Sequence, residues 1–349
     1  MENNNTFLPS EWHKQAFIQL TWPHQETDWN YILEEVEKCF VNIAEEIACR
    51  QKLIIVCRDI LKVKLMINSK YYNNISFFFI DSNDTWARDH GGITVWENGN
   101  PVIKDFCFNG WGKKFNAEKD NLITKKLFAQ NAFQGYEYFD ANGFVLEGGS
   151  IESDGGGTIL TTEQCLLSEN RNDNLSKSDI EEFLKSVFGA TRILWLKNGY
   201  LAGDDTDSHI DTLARFCSAN TIAYVKCSDE NDEHYDELKS MEEELLSFRQ
   251  MDGSPYNLVA LPMATPVFDP DDGHRLPATY ANFLIINEAI LFPVYNCNTD
   301  KEALVAIKEA FPERKIVPVD CSVLIRQHGS LHCITMQYPD NKNSENDYI

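Results

Sequence analysis

Apolar residues recur along Tyr31–Arg50 in steps of three and four: Ile32, Val36, Phe40, Ile43 and Ile47, with Glu34, Glu35, Glu45 and Glu46 between them. That spacing gathers the apolar set on one face of a helix. Leu53–Cys57 and Ser76–Ile80 follow as short apolar runs, which read as buried strands. Further strand-like runs fall at Gly143–Leu146, Thr158–Thr161, Arg192–Leu196, Leu213–Cys217, Ile222–Lys226, Leu258–Leu261, Asn282–Ile286, Ala289–Pro293, Ile316–Val319 and Ile334–Gln337. Ser178–Val187, Tyr235–Gln250 and Asp300–Phe311 carry helical periodicity. Ser178 followed by Glu181 has the form of a capping box, and Asp300 with Glu302 places acid in a first turn, where the helix dipole favours it.

Strands and helices alternate throughout, which predicts an α/β protein. Several strands come in pairs with no helix between them, and Gly155-Gly-Gly157 marks a tight hairpin. No low-complexity linker divides the 349 residues. Thr85–Asp89 and Thr212–Phe216 look faintly alike, too briefly to establish a repeat. The pattern leaves a doubly wound sheet and a repeated propeller equally open.

Composition narrows the functions. Hydrophobic residues make up 43% of the chain, enough for a large core. The polar ends Met1–Thr6 and Asn341–Ile349 read as unstructured. A formal net charge of −23 argues against a nucleic-acid partner and favours a small cation. Nine acidic residues between Asp229 and Glu244 supply much of that charge, and a solvated helix or surface loop explains them. Met1–Pro9 lacks the apolar run of a secretory signal, and Ser76–Ile80 and Phe283–Ile286 are far too short to span a bilayer. Ten cysteines with no Cys-x-x-Cys and no zinc-type spacing suggest neither a disulfide framework nor a metal centre, and fit a reducing cytoplasm.

Candidate chemistry lies in four loops beside strand-like runs: 84–92, 146–150, 203–211 and 328–335. On a strand, His209 and Asp211 would share one face, as an acid/base and a cation-binding carboxylate; an Asp-rich turn is the plainer alternative. Asp89 could pair with Arg88, Trp86 could be core, and Glu147 before two glycines could be a turn residue. Cys333, on a short turn near Gly329 and Ser330, could be an exposed nucleophile if its thiolate is stabilised. Its neighbour His332 is a poor base for it, because adjacent side chains on extended chain diverge. Serine-hydrolase, Walker A, dinucleotide and zinc-protease motifs are absent, and Asp269-Pro-Asp-Asp-Gly273 breaks the calcium-loop pattern.

Taken together, these segments resemble agmatine deiminase, of the guanidine-modifying superfamily that includes arginine and peptidyl-arginine deiminases. The resemblance runs from Trp22-Pro-His-Gln-Glu-Thr-Asp-Trp29 through 83–89, Phe108-Asn-Gly-Trp-Gly112, 146–150, 160–162, Asn170-Arg-Asn172, 209–211 and 276–283 to His332-Cys-Ile-Thr-Met-Gln337. It implies one domain over 1–349, folded as a five-bladed α/β propeller (a pentein) of ββαβ units around a central site. By the same resemblance Cys333 is the nucleophile and His209 the general acid/base. Asp89 and Asp211 clamp the guanidinium, Glu147 is a further acid of the site, and Trp86 is an aromatic near the substrate. No metal or organic cofactor is implied. The expected reaction is agmatine plus water to N-carbamoylputrescine plus ammonia, with Asp204, Asp205 or Asp207 meeting the distal ammonium. The stretch before Cys333 is less glycine-rich than the resemblance leads one to expect. Family members are often homo-oligomers, though no interface is legible here. Alternatives are an arginine or peptidyl-arginine deiminase, which would need an arginine or an open cleft for the carboxylate or peptide and for which none can be nominated because Arg88, Arg171, Arg215 and Arg275 all have structural alternatives, and an inactive polyamine-binding relative.

Overall fold

A computed structural model describes residues 6–340. Thr6, read above as part of an unstructured end, opens a short strand; the other terminal residues read that way lie outside the described range. In chain order, β1 (Thr6–Phe7) and β2 (Gln15–Thr21) precede helix α1 (Leu33–Ala48), β3 (Lys52–Cys57) and β4 (Ile75–Phe79). Next come β5 (Ile93–Glu97), β6 (Asn100–Cys107), α2 (Ile123–Ala129) and β7 (Glu137–Val145), then β8 (Ile151–Ser153), β9 (Thr158–Thr162), α3 (Lys177–Phe188) and β10 (Arg192–Leu196). The chain continues through β11 (Ala214–Ser218), β12 (Thr221–Lys226), α4 (Tyr235–Ser247) and β13 (Asn257–Pro262). It ends with β14 (Leu284–Ile286), β15 (Ala289–Val294), α5 (Asp300–Ala310), β16 (Lys315–Asp320) and β17 (Thr335–Pro339).

Among the described residues these strands form five separate sheets. Each contains an antiparallel pair, then a helix, then a strand parallel to the second of the pair. The fifth is built from both ends of the chain: β17 pairs antiparallel with β2, and β3 and β4 add in parallel. The protein is thus mixed α/β.

The fifth sheet shows why its strands are continuously apolar. Leu53, Ile55 and Cys57 of β3 join one buried core, and Ile54 and Val56 join a second. Alternate side chains of a strand point to opposite faces, so a strand covered on both sides has no solvent-facing position. β4 departs from the expectation of a buried strand. It is the sheet's edge, and Phe79 is 68% exposed.

Two local features are also corrected. The capping box of α3 is Ser176 with Asp179: Ser176 Oγ accepts from Asp179 N at 3.2 Å, and Asp179 Oδ2 accepts from Ser176 N at 2.8 Å. Ser178 therefore lies inside the first turn, because Asp179 stands at the position where both bonds close. The 229–244 segment is more than a solvated face. Glu244 accepts from Lys197 N at 2.9 Å and Asn198 Nδ2 at 2.8 Å, and Asp232 pairs with Arg275 at 2.8 Å. No helix in the described residues is long and apolar enough to cross a membrane. All ten cysteines are free and seven are buried.

Candidate active site

A cavity of about 430 Å³ opens where loops from several sheets meet. Trp86, Asp89, Asp205 and Cys333 line it. Asp89 comes from a single helical turn, Ala87–His90, entered from β4 through Asp81–Trp86. Glu147 precedes the 3-10 turn Gly148–Ser150, and His209 precedes another, Ile210–Thr212, which carries Asp211. His209 and Asp211 are therefore not on a strand, and packing rather than strand alternation brings them together.

Their convergence is visible at Gly149. A β-carbon there would lie 2.7 Å from His209 Nδ1, 2.8 Å from Asp89 Oδ1 and 3.1 Å from Asp211 Oδ2. Glycine is the residue that lets a backbone approach three polar groups this closely. Its N–H donates to Asp89 Oδ1 at 3.0 Å. Trp111 Nε1 donates to the other oxygen, Oδ2, at 2.9 Å, from a backbone held in the left-handed region at φ 53°.

Cys333 is 5% exposed, so it is a group at the cavity floor and not an exposed surface nucleophile. Its Sγ lies 3.4 Å from Asn282 Oδ1 and 3.9 Å from Asp211 Oδ2. Asn282 Oδ1 also accepts from the backbone N–H of His332 at 2.8 Å and of Cys333 at 3.3 Å, which fixes the turn. Asp211 Oδ2 takes a hydrogen bond from His332 Nδ1 at 2.7 Å. Among the described residues, Asp211 Oδ1 and both ring nitrogens of His209 are buried without a hydrogen bond, with Asp89 Oδ1 3.7 Å from His209 Nδ1. Unpartnered buried polar atoms are costly, so a site that keeps several of them is one shaped for a polar ligand.

Burial sets the charges. It pushes the Asp89 carboxyl well above the usual range, and the charges of Asp211 and Glu147 add to the effect. Burial would raise Asp211 too, but the His332 bond and the neighbouring His209 and Arg215 outweigh it and hold Asp211 below its ordinary value. Two facing carboxyls thus have their affinities for a proton driven apart. Burial lowers His209 to about 3, against the pull of Asp211, so it is neutral in the empty site. Burial, Asp211 and Asp89 push the Cys333 thiol far up.

Glu147 stands one layer back. It is fully buried and takes both its oxygens to Arg171 Nε, at 2.9 and 3.0 Å. A Glu147 oxygen, Cys165 Sγ and a His209 nitrogen lie within 4.8 Å of one another, a spacing that could hold a metal. The Arg171 guanidinium against Glu147 and the thiol of Cys165, raised by burial, fit a metal poorly.

Of the three candidate acids for a distal cation, the structure leaves one in the cavity. Asp204 accepts from Thr206 N and Ser208 N, and Asp207 is taken by Lys114 and Arg171, each at 2.7 Å; Asp205 lines the cavity. Glu26, Asp28, Asp84 and Asp120 join it at the walls. Burial and Asp28 raise Asp84 to about 7. The four arginines considered above are engaged: Arg88 with Glu11, Arg171 with Glu147 and Asp207, Arg215 with Glu11 and Glu152, Arg275 with Asp232 and Glu233.

Asn282, Trp111 and Arg171 lie inside sequence stretches singled out above but had no role there. Glu11 carried no signal, and His332 was set aside as a base, which says nothing of a bond to Asp211.

The chain matches the Porphyromonas-type peptidyl-arginine deiminase family over residues 7–339. It is 32% identical, over 95% of its length and 94% of the other's, to a protein of Marinomonas sp. (strain MWYL1) named "Putative agmatine deiminase". Among solved structures it is similar to the "Putative Arginine Deiminase from Porphyromonas gingivalis", with 51% identity, TM-score 0.93, and 97% of this chain and 99% of that chain covered. It is also similar to an agmatine deiminase of C. Jejuni solved as a cysteine-to-serine variant with substrate bound, at 39% identity and TM-score 0.89, covering 97% and 98% of the two chains.

Proposed function

The chain belongs to the Porphyromonas-type peptidyl-arginine deiminase family, and from that premise we propose that it hydrolyses agmatine to N-carbamoylputrescine and ammonia through a covalent adduct on Cys333. The observation that carries the substrate choice is the charge of the cavity. Six carboxyl groups, of Glu26, Asp28, Asp84, Asp89, Asp120 and Asp205, line it; burial raises those of Asp84, Asp89 and Asp120, which an arriving cation would ionise, and the ammonium of Lys114 is held by Asp207 and by the Asp205 carbonyl. Such walls suit a molecule cationic at both ends, while an α-carboxylate would meet like charge. We assign the distal ammonium to Asp205.

In this reading Asp89 and Asp211 grip the planar guanidinium by charge-assisted hydrogen bonds and fix its carbon near Cys333 Sγ. The arriving positive charge offsets the two carboxylates that hold the thiol up. The thiol proton passes to His209 and the thiolate attacks the carbon. His209 then gives that proton to the departing amine, which leaves as ammonia. His209, neutral again, takes a proton from water; the hydroxide adds to the amidino-thioether, the carbon–sulfur bond breaks as the carbonyl forms and its hydroxyl proton is lost to the released ammonia, and His209 returns its proton to the Cys333 sulfur, restoring the starting thiol and imidazole. Glu147, held by Arg171, stands behind His209 and favours its transient cation.

The five ββαβ sheets support the further reading that residues 1–349 form one catalytic domain, a five-bladed propeller with the cavity at its centre. The ten free cysteines suit a cytoplasmic location. A second reading, activity on arginine, is favoured by the name of the 51% identical Porphyromonas gingivalis structure. Ammonia release from agmatine, arginine and a blocked arginine peptide decides between them. Fast release from agmatine alone is expected; faster release from either arginine compound discards the substrate, and none from any of the three discards the reaction.

A further inference from the structure

Beneath Asp211 lies a charged cluster that the proposed chemistry does not use. His332, 1% exposed, points Nδ1 at Asp211 Oδ2, 2.7 Å away, and Nε2 at Glu11 Oε1, 2.5 Å away. Glu11 comes from the loop before β2, more than 300 residues earlier. Arg215 pairs with its other oxygen, Arg88 Nη1 reaches Oε1 at 3.1 Å, and Gln337 Nε2 donates to Oε1 at 3.0 Å. Arg215 also pairs with Glu152 and donates to the carbonyls of Ala281 and Phe283, on either side of Asn282. Arg88 adjoins Asp89 in the chain. The cluster therefore touches the supports of Asp89 and Cys333, which line the cavity, and of Asp211 buried behind them: Asp211 through His332, Asp89 through Arg88, and Cys333 through Asn282.

We propose that Glu11 and His332 are positioning residues: with Asp211 they form a buried carboxylate–imidazole–carboxylate relay that orients Asp211 and sets the charge balance beneath Cys333. The bond to Asp211 requires a proton on Nδ1, and Arg215 Nη2, 3.0 Å from Nε2, donates to the neutral ring, so one neutral tautomer of His332 is selected; an imidazolium would instead donate from Nε2 to Glu11. Asp211 is thereby held as an acceptor in one orientation, leaving its unpartnered Oδ1 for substrate. The groups facing His332 are Glu11, Glu152, Asp211, Arg88 and Arg215; those facing Cys333 are Asp211, Asp89 and Asn282. Burial raises Glu152 to about 8, so near neutral pH Glu11 and Asp211 balance the two arginines. Removing the charge of Glu11 leaves one positive charge in excess, which favours the Cys333 thiolate and disfavours a bound cation.

The role of these residues in turnover rests on the function proposed above, so the test includes a substrate-free measurement. In Glu11→Gln, the pH profile of Cys333 alkylation by iodoacetamide, followed by mass spectrometry, is expected to move toward acid by roughly one pH unit. The kcat for agmatine is expected to fall tenfold or more, with KM raised. A folded variant with the wild-type alkylation profile overturns the proposal, even if kcat falls, because that pattern is packing alone. A wild-type protein inert toward agmatine, with the alkylation profile moved in the variant, discards the function and keeps the relay. Should Glu11→Gln fail to fold, the wild-type protein decides. His332-Cys333 is the single His-Cys pair of the sequence, so dual histidine/cysteine isotope labelling assigns its imidazole. A protonated, exchange-protected Nδ1 from pH 6 to 8 is expected; an unprotonated Nδ1 overturns the proposal.

Discussion

Replacing Gly149 by alanine tests whether the site works because three groups meet at one point. The new methyl would stand 2.7 Å from His209 Nδ1, 2.8 Å from Asp89 Oδ1 and 3.1 Å from Asp211 Oδ2, where ordinary contact begins at 3.4 Å. Each group must retreat by roughly 0.3–0.7 Å, and all three are buried against neighbours that resist the move. A misplacement of about 1 Å at a reacting centre costs on the order of 10²-fold. A fall of roughly 10- to 100-fold in kcat/KM for ammonia release from agmatine is therefore expected. Overpacking costs about 1–3 kcal/mol, partly offset by the ~0.4–1 kcal/mol that alanine contributes by restricting the unfolded chain. Thermal unfolding should then shift down by only a few degrees. Gly143→Ala is the control: its backbone is not in the left-handed region and a β-carbon there meets nothing within 4 Å. It should match wild type in both rate and midpoint. Wild-type kcat/KM in Gly149→Ala would refute the convergence argument, and equal losses in the two variants would refute its locality.

Cys333→Ser should reduce ammonia release below detection while calorimetry still shows agmatine binding, since Asp89 and Asp211 remain; turnover at the wild-type rate would remove Cys333 from the mechanism. Because burial raises the Asp89 carboxyl, which must release its proton to hold a cation, kcat/KM should rise with pH by up to about tenfold per unit from pH 6 toward 9, whereas the Cys333-to-His209 transfer moves a proton within the site and adds no slope. The kcat profile should level off at lower pH, because Asp89 is already ionised in the complex; a kcat/KM flat from pH 6 to 9 would refute the raised Asp89. Asp205→Asn should raise KM for agmatine roughly tenfold, the scale of one partly solvated charge pair, with kcat little changed. An unchanged KM would move the distal ammonium to another wall, Asp28 first.

What the amino-acid sequence determined by itself was local. The period of apolar residues marks α1 to within two residues of its observed start and end, and the runs at 192–196 and 222–226 mark strands, because these signals depend on neighbours a few positions apart. The hairpin of β5 and β6 was legible in the same way and was missed: Asn98 and Gly99, at φ 52° and 86°, form the two-residue turn their identities favour. The loops bearing Asp89, Glu147, His209, Asp211 and Cys333 could be picked out as strand-end loops, and family resemblance put them in order. Their distances could not be read, since the positions lie far apart in the chain and only packing brings them together. Tertiary structure alone decided that Asp204 and Asp207 are used up in the loop while Asp205 faces the cavity, that Glu147 turns to Arg171, and that His332 bonds to Asp211. It also decided that β17 joins β2, closing a sheet from the two ends of the chain, and so carried Glu11 under a site whose Cys333 is encoded at the other end. No local propensity acts over such separations; burial of apolar surface between sheets does, and the pairing of buried charges follows from it.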